Sequence, residues 1–110
     1  MINYNRKRPI ENLFGNDISR VLDFFIFNKD FSYSTKEISE LTKISYRNIQ
    51  KILMTLLQKE IILTSKNGNK TFYLNNKSQL GKTLSDFVNS SLNREIENHI
   101  KNSSTLEIQR

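Results

Sequence analysis

The chain has no cysteine among its 110 residues, so disulfides, thiolate metal sites and cysteine nucleophiles are excluded. Glycine is almost as scarce: Gly15, Gly68 and Gly81 are the whole complement, too few and too scattered for a phosphate-binding glycine loop. The single histidine, His99, has no second histidine or carboxylate at ligand spacing, and Glu95 four residues before it is a helix-face neighbour. Glu95 and Glu97 fall on different helix faces and make no carboxylate dyad. Neither catalysis, nor a metal, nor a cofactor is therefore expected. No apolar run approaches the length that crosses a bilayer, and Met1 to Pro9 is polar and basic without a signal-peptide core. No membrane association is expected, and a cytoplasmic protein is.

What the chain does have is localised positive charge. The net charge is +6. Residues 1–9 contribute +3 through Arg6, Lys7 and Arg8, and residues 61–82 contribute +4 through Lys66, Lys70, Lys77 and Lys82. Between them residues 10–60 balance to zero, and residues 83–110 sum to −1. Clustered bases of this kind suit a polyanionic partner.

Hydrophobic spacing organises the rest. Residues 1–13 have no sustained period and read as a flexible basic arm. Ile18, Val21, Leu22, Phe25 and Ile26 recur at helical spacing, with Asp17 as N-cap and an end near Asn28. Phe24, Phe25 and Phe27 read as core. Phe31 and Tyr33 alternate with serines as a very short strand. Ser34-Thr35-Lys36-Glu37 has the form of a capping box, opening a brief helix with Ile38 and Leu41 inward. Thr42-Lys43-Ile44 makes a tight turn, and Ser45 caps a third helix whose apolar face is Ile49, Ile52, Leu53, Leu56 and Leu57. The other face is polar: Tyr46, Arg47, Asn48, Gln50, Lys51 and Thr55. Two β-prone runs, Ile61 to Thr64 and Thr71 to Leu74, flank Asn67-Gly68, a pair suited to a type I′ hairpin turn. A last helix runs from about Ser78 to Lys101.

The predicted class is mainly α with a small β-hairpin wing (α+β). Helix, short strand, helix, tight turn, helix, hairpin with a basic tip, helix is an order that resembles the winged helix-turn-helix family, as in MarR, PadR and ArsR regulators. Small archaeal winged-helix chromatin proteins with a coiled-coil tail are similar in outline. The resemblance rests on Ser34 to Leu57 for the helix-turn-helix, and on Glu60-Ile61-Ile62, Asn67-Gly68 and Phe72-Tyr73-Leu74 for the wing. Leu74 to Gly81 is similar to the junction between wing and last helix in these regulators. One departure is Lys59-Glu60, where many members have glycine. The expected organisation is an arm over 1–13, a winged domain over 14–76, a dimerisation helix over 77–102 and a disordered tail over 103–110.

The resemblance implies double-stranded DNA as partner and transcriptional regulation as function, with a nucleoid location. Carried over by position, the recognition helix is 45–60 and the wing 61–74. Arg47 suits guanine and Gln50 adenine, while Tyr46 can meet a phosphate or a thymine methyl and Lys51 shares their face. Ser34, Thr35, Lys36 and Ser45 stand at helix starts that favour phosphate. Lys66, Asn67, Asn69 and Lys70 are the wing contacts, and Arg6, Lys7 and Arg8 form an arm able to enter the minor groove. Nothing indicates a small-molecule effector. Two other roles fit the same fold: an architectural protein of chromatin or plasmid segregation with low sequence preference, and a protein-interaction winged helix in a multisubunit assembly.

The final helix has its own pattern. Leu80, Leu84, Val88, Leu92, Ile96 and Ile100 recur every four residues, a stripe that drifts about 40° per step around a 3.6-residue helix. One face cannot hold all six. Leu80, Leu84 and Phe87 are expected on their own domain, and Val88, Leu92, Ile96 and Ile100 against a second copy in a homodimer.

Overall fold

Pro9 opens a helix that hydrophobic spacing does not announce. In the computed structural model, which describes residues 8–65, 68 and 70–108 and side chains through Arg94, α1 spans Pro9–Phe14. Proline suits the first helical position, where its missing N–H has no partner to lose. Gly15 ends the helix in the left-handed region at φ +70°. Ile10 is buried, and both carboxylate oxygens of Asp23 accept hydrogen bonds from α1, from Ile10 N at 3.0 Å and Glu11 N at 2.8 Å. The expectation of a flexible arm over 1–13 is therefore corrected from Arg8 onward. A six-residue helix is too short to show a period, and its anchor lies in the next helix.

The second helix, α2 (Asp17–Phe27), is capped by Asn16 rather than by Asp17. The Asn16 side chain accepts from Ser19 N, and Ser19 Oγ accepts from Asn16 N. Val21, Phe24, Phe25 and Ile26 bury its inner face. The short strand at 31–34 reduces to one antiparallel bridge, Tyr33 to Phe72.

The third helix, α3 (Thr35–Thr42), begins with the expected capping box: Glu37 N donates to Ser34 Oγ, and Ser34 N donates to Glu37 Oε1. Ile38 is fully buried, but Leu41 is 49% exposed and Thr42 takes the second inward position. Four residues advance a helix 40° past a full circle, whereas three fall 60° short, so Thr42 lies nearer the Ile38 face. Thr42 Oγ1 satisfies itself on Ile38 O at 2.6 Å. Lys43 then turns the chain at φ 64° and donates its N–H to Ser39 O.

Helix α4 (Tyr46–Gln58) is capped by Ser45 and buries Ile49, Leu53 and Leu56. It ends in two bonds that define a Schellman motif, Ile61 N to Leu56 O and Glu60 N to Leu57 O. That motif puts its C′ residue in the left-handed region, usually as glycine. Here the residue is Glu60, at φ 59°. The absence of glycine at Lys59-Glu60 thus leaves the geometry unchanged and places a side chain where it is strained.

The wing pairs β1 (Ile62–Ser65) with β2 (Thr71–Leu74), antiparallel, from Ile62 opposite Leu74 to Ser65 opposite Thr71. Five residues, 66–70, separate the last pair. The register puts Gly68, at φ 70°, at the midpoint. The left-handed Gly68 is the glycine the spacing pointed to, while Asn67, and with it the expected type I′ turn, lies outside the described residues.

Asn75 secures the exit from the wing. Its N–H donates to Ile61 O, and its side chain donates to Glu60 O and accepts from Lys77 N. Helix α5 then runs Gln79–Ile108, past the expected end at 102, with no glycine or proline after Gly81 to stop it. Thirty residues make a helix of about 45 Å, and the longest extent of the molecule is 60 Å against 28 and 23 Å. Among the described residues no helix is long and apolar enough to cross a membrane.

Two expectations for α5 change. Val88 is 1% exposed within its own core, and Leu92 packs beside that core together with Leu84 and Phe87, whereas Leu80 is 46% exposed. Neither Val88 nor Leu92 is thus reserved for a second copy. The drifting stripe is real, but the body holds its middle rather than its beginning, because α1 and α2 both pack on α5. Ile96 and Ile100 lie on the helix with side chains outside the described residues.

Candidate nucleic-acid interface

Two capped helix starts and one strand enclose an open groove of about 470 Å³. Ser34, Thr35 and Lys36 come from the start of α3, Tyr46, Gln50, Leu53, Met54 and Leu57 from α4, and Lys70 and Phe72 from the wing. Leu53 and Phe72 are buried and form the floor. Lys36 and Lys70 stand at the rims, and none of the described lining residues is acidic. Lys70 Nζ lies 5.6 Å from the centroid of the Phe72 ring, within cation–π range.

Along α4 the outward positions are Tyr46, Arg47, Asn48, Gln50, Lys51, Met54 and Gln58. Arg47 and Met54 are seven residues apart, nearly two turns, and so share a face. Six of these seven are polar residues or tyrosine. Met54 is the apolar one, and it is 65% exposed.

The two helix starts differ as anion sites. Glu37 already occupies Ser34 N at the start of α3, and its charge sits in that helix's first turn. The first turn of α4 carries no acid. A helix N-terminus attracts anions through its unsatisfied N–H groups and dipole, so Ser45 at α4 is the stronger of the two positions, and Ser34 with Thr35 the weaker.

Arg8 does not join this face. It reaches Glu11 at 2.9 Å, and Arg20 reaches the same carboxyl at 2.7 Å. Arg20 also donates to Thr42 O at 3.0 Å, where α3 ends. Burial opposes ionisation of Glu11, but hydrogen bonds and charge from Arg20 and Arg8 outweigh it and hold the carboxyl below its ordinary value. Burial pushes Asp23 the other way, above its ordinary value, more than its two backbone donors lower it. The Arg8, Glu11, Arg20 and Asp23 cluster is a structural joint that sequence spacing did not reveal. Met54 and Phe72 were missed at the groove as well. Met54 could have been found on a helical wheel, since it is off the Ile49, Leu53, Leu56 stripe.

The structure thus brings Ser34, Thr35, Lys36, Tyr46, Gln50 and Lys70 to one groove, with Ser45, Arg47 and Lys51 on the adjoining exposed face of α4. Arg6, Lys7, Lys66, Asn67 and Asn69 lie outside the described residues.

This arrangement is a winged helix-turn-helix fold, and solved structures share it. A protein described as a possible transcriptional regulator from Methanosarcina mazei Go1 superposes with a TM-score of 0.55 at 17% identity, over 84% of this chain and 83% of that one. A Staphylococcus aureus MepR variant bound to an oligodeoxyribonucleotide gives 0.62 at 12% identity, over 88% and 72%. A Lactococcus lactis ZitR variant in its apo form gives 0.55 at 17% identity, over 89% of each chain. MepR and ZitR are MarR-family winged-helix transcription regulators. No family model and no curated protein sequence matches the chain.

Proposed function

We propose that this chain binds double-stranded DNA as a transcriptional regulator in the cytoplasm, at the nucleoid, with α4 in the major groove and the wing on the flanking backbone. The observation that carries this reading is the outward face of α4, where Tyr46, Arg47, Gln50 and Lys51 adjoin a groove whose described lining has bases and no acids. A helix fits the major groove, and its first turns meet base edges there. The oligodeoxyribonucleotide bound by the MepR variant supports the reading by likeness of fold. Arg6, Lys7, Lys66 and Lys70 supply the sequence-independent attraction. Arg8, held by Glu11, contributes less.

A labelled duplex titrated across salt concentrations tests the proposal, with a log–log slope of about 0.9 for each phosphate neutralised. Lys70→Ala should weaken all sequences alike and reduce that slope by about one. Tight binding with a flat salt response would overturn the electrostatic part. Selection from randomised DNA separates a regulator from an architectural protein, which would enrich no sequence.

Homodimerisation belongs to the same proposal. Packing on the core reaches Leu92, and α5 continues to Ile108, roughly 24 Å further at 1.5 Å per residue. Ile96 and Ile100 are the residues we assign to a second copy. Sedimentation of the intact chain at tens of micromolar tests this, because a monomer there excludes the dimer.

A further inference from the structure

We infer that the groove between α4 and the wing reads thymine, with Met54 seating the 5-methyl group. This rests on the DNA-binding reading above and adds the base that the groove selects. An apolar side chain 65% exposed on a recognition face otherwise polar leaves apolar surface in water for a ligand to cover. Met54 is unbranched and adaptable, and it lines the same groove as Gln50 and Tyr46. Of the base edges displayed in the major groove, only thymine presents a methyl group.

The spacing fits the pairing. Gln50 and Met54 are one helical turn apart, a rise of about 6 Å, against a base-pair step of about 3.4 Å. Gln50 can make its two-bond contact to the N6 and N7 of adenine while Met54 lies over a thymine one or two steps away. Lys36 and Lys70 at the rims and the absence of an acidic described lining residue favour a nucleic-acid strand as the occupant over an apolar ligand or another protein face. The buried Leu53 and Phe72 line the same groove as Met54, so a methyl seated there meets side chains rather than water.

The test begins with a duplex selected from a randomised pool by the intact chain. The same duplex is then synthesised with deoxyuridine for thymine, which deletes the 5-methyl and leaves base pairing intact. Wild type should bind the uridine duplex about fourfold more weakly for each methyl seated, the worth of one buried methyl group. Met54→Ala should bind the thymine duplex more weakly and treat the two duplexes alike, and Met54→Leu should restore the difference. Because Met54 is exposed, the alanine variant should melt as wild type does. Equal binding of both duplexes by wild type, or undiminished discrimination by Met54→Ala, overturns the inference. So does a pool that enriches no A·T positions, even if the salt titration still shows duplex binding. Loss of dimerisation by Met54→Ala, with uridine tolerated, would give the groove to a second copy. A chain that binds no duplex at low salt removes the DNA-binding reading itself.

Discussion

Two regions of this molecule use charge in opposite ways. At the joint of α1 and α2 the charges meet other groups: Arg8 and Arg20 share Glu11, Arg20 also holds Thr42 O, and Asp23 takes two backbone N–H groups. At the α4 face and its groove, Lys36, Arg47, Lys51 and Lys70 face outward without an acid among the described groove lining. Bases are equally easy to count in both regions. What separates them is the partner, and the partner depends on burial. A charge taken out of water must be compensated internally, whereas an exposed one stays available to a ligand.

The comparison breaks most directly at Asp23. Asp23→Ala leaves the Ile10 and Glu11 N–H groups without their acceptor, and buried groups orphaned in this way cost about 1–3 kcal/mol each. Chemical denaturation should show the loss, while DNA affinity of the folded protein stays near wild type. A variant of unchanged stability would mean α1 is held by Ile10 alone.

Arg47→Ala should give the reverse pattern. We expect about 1–3 kcal/mol of lost affinity, concentrated at one base position, with stability within about 0.5 kcal/mol of wild type, as for surface substitutions generally. Equal losses on every duplex, matching Lys70→Ala, would show that Arg47 meets phosphate and not a base.

The pH dependence of the joint is a sharper test. Glu11 has its carboxyl lowered in the folded state, so its contribution is present above the ordinary glutamate value and disappears as pH falls through the folded one. Glu11→Gln should be less stable than wild type near neutrality, by about 1.5–3 kcal/mol for hydrogen bonds to a charged group, and the difference should close in acid. Asp23 has the opposite sign: its raised value means its titration favours folding at low pH, and that advantage is lost as pH rises through the folded value. A gap between Glu11→Gln and wild type that persists unchanged in acid would show that Glu11 matters by shape and not by charge.

The smallest expected effect lies between the two regions, where α4 hands over to the wing. Glu60→Gly removes a left-handed conformation that costs a non-glycine residue about 1–2 kcal/mol, against about 0.4–1 kcal/mol of added unfolded-state freedom. A net gain of about 0.5–1 kcal/mol in thermal unfolding is expected from that difference. No gain would indicate that the Glu60 side chain stabilises the wing by contacts of its own.

Local chemistry made most of the fold legible. The capping box at Ser34 and Glu37, the cap at Ser45, the helical spacing of Ile49, Leu53 and Leu56, and the glycine at the hairpin all act over a few residues, and each is found where the spacing puts it. They also placed Tyr46, Arg47, Gln50 and Lys51 on the outward face of α4. What lay beyond reach depends on groups far apart in the chain. Asp23 anchors α1 across twelve and thirteen residues. Register, through the pairing of Ser65 with Thr71, set the loop length. The same holds for α5: its sequence determined a winding apolar stripe, and only the docking of α1 and α2 decided that Val88 would be buried within the chain. Periodicity is a property of one helix, whereas burial belongs to the surfaces that meet it, and those surfaces exist only once the chain has folded.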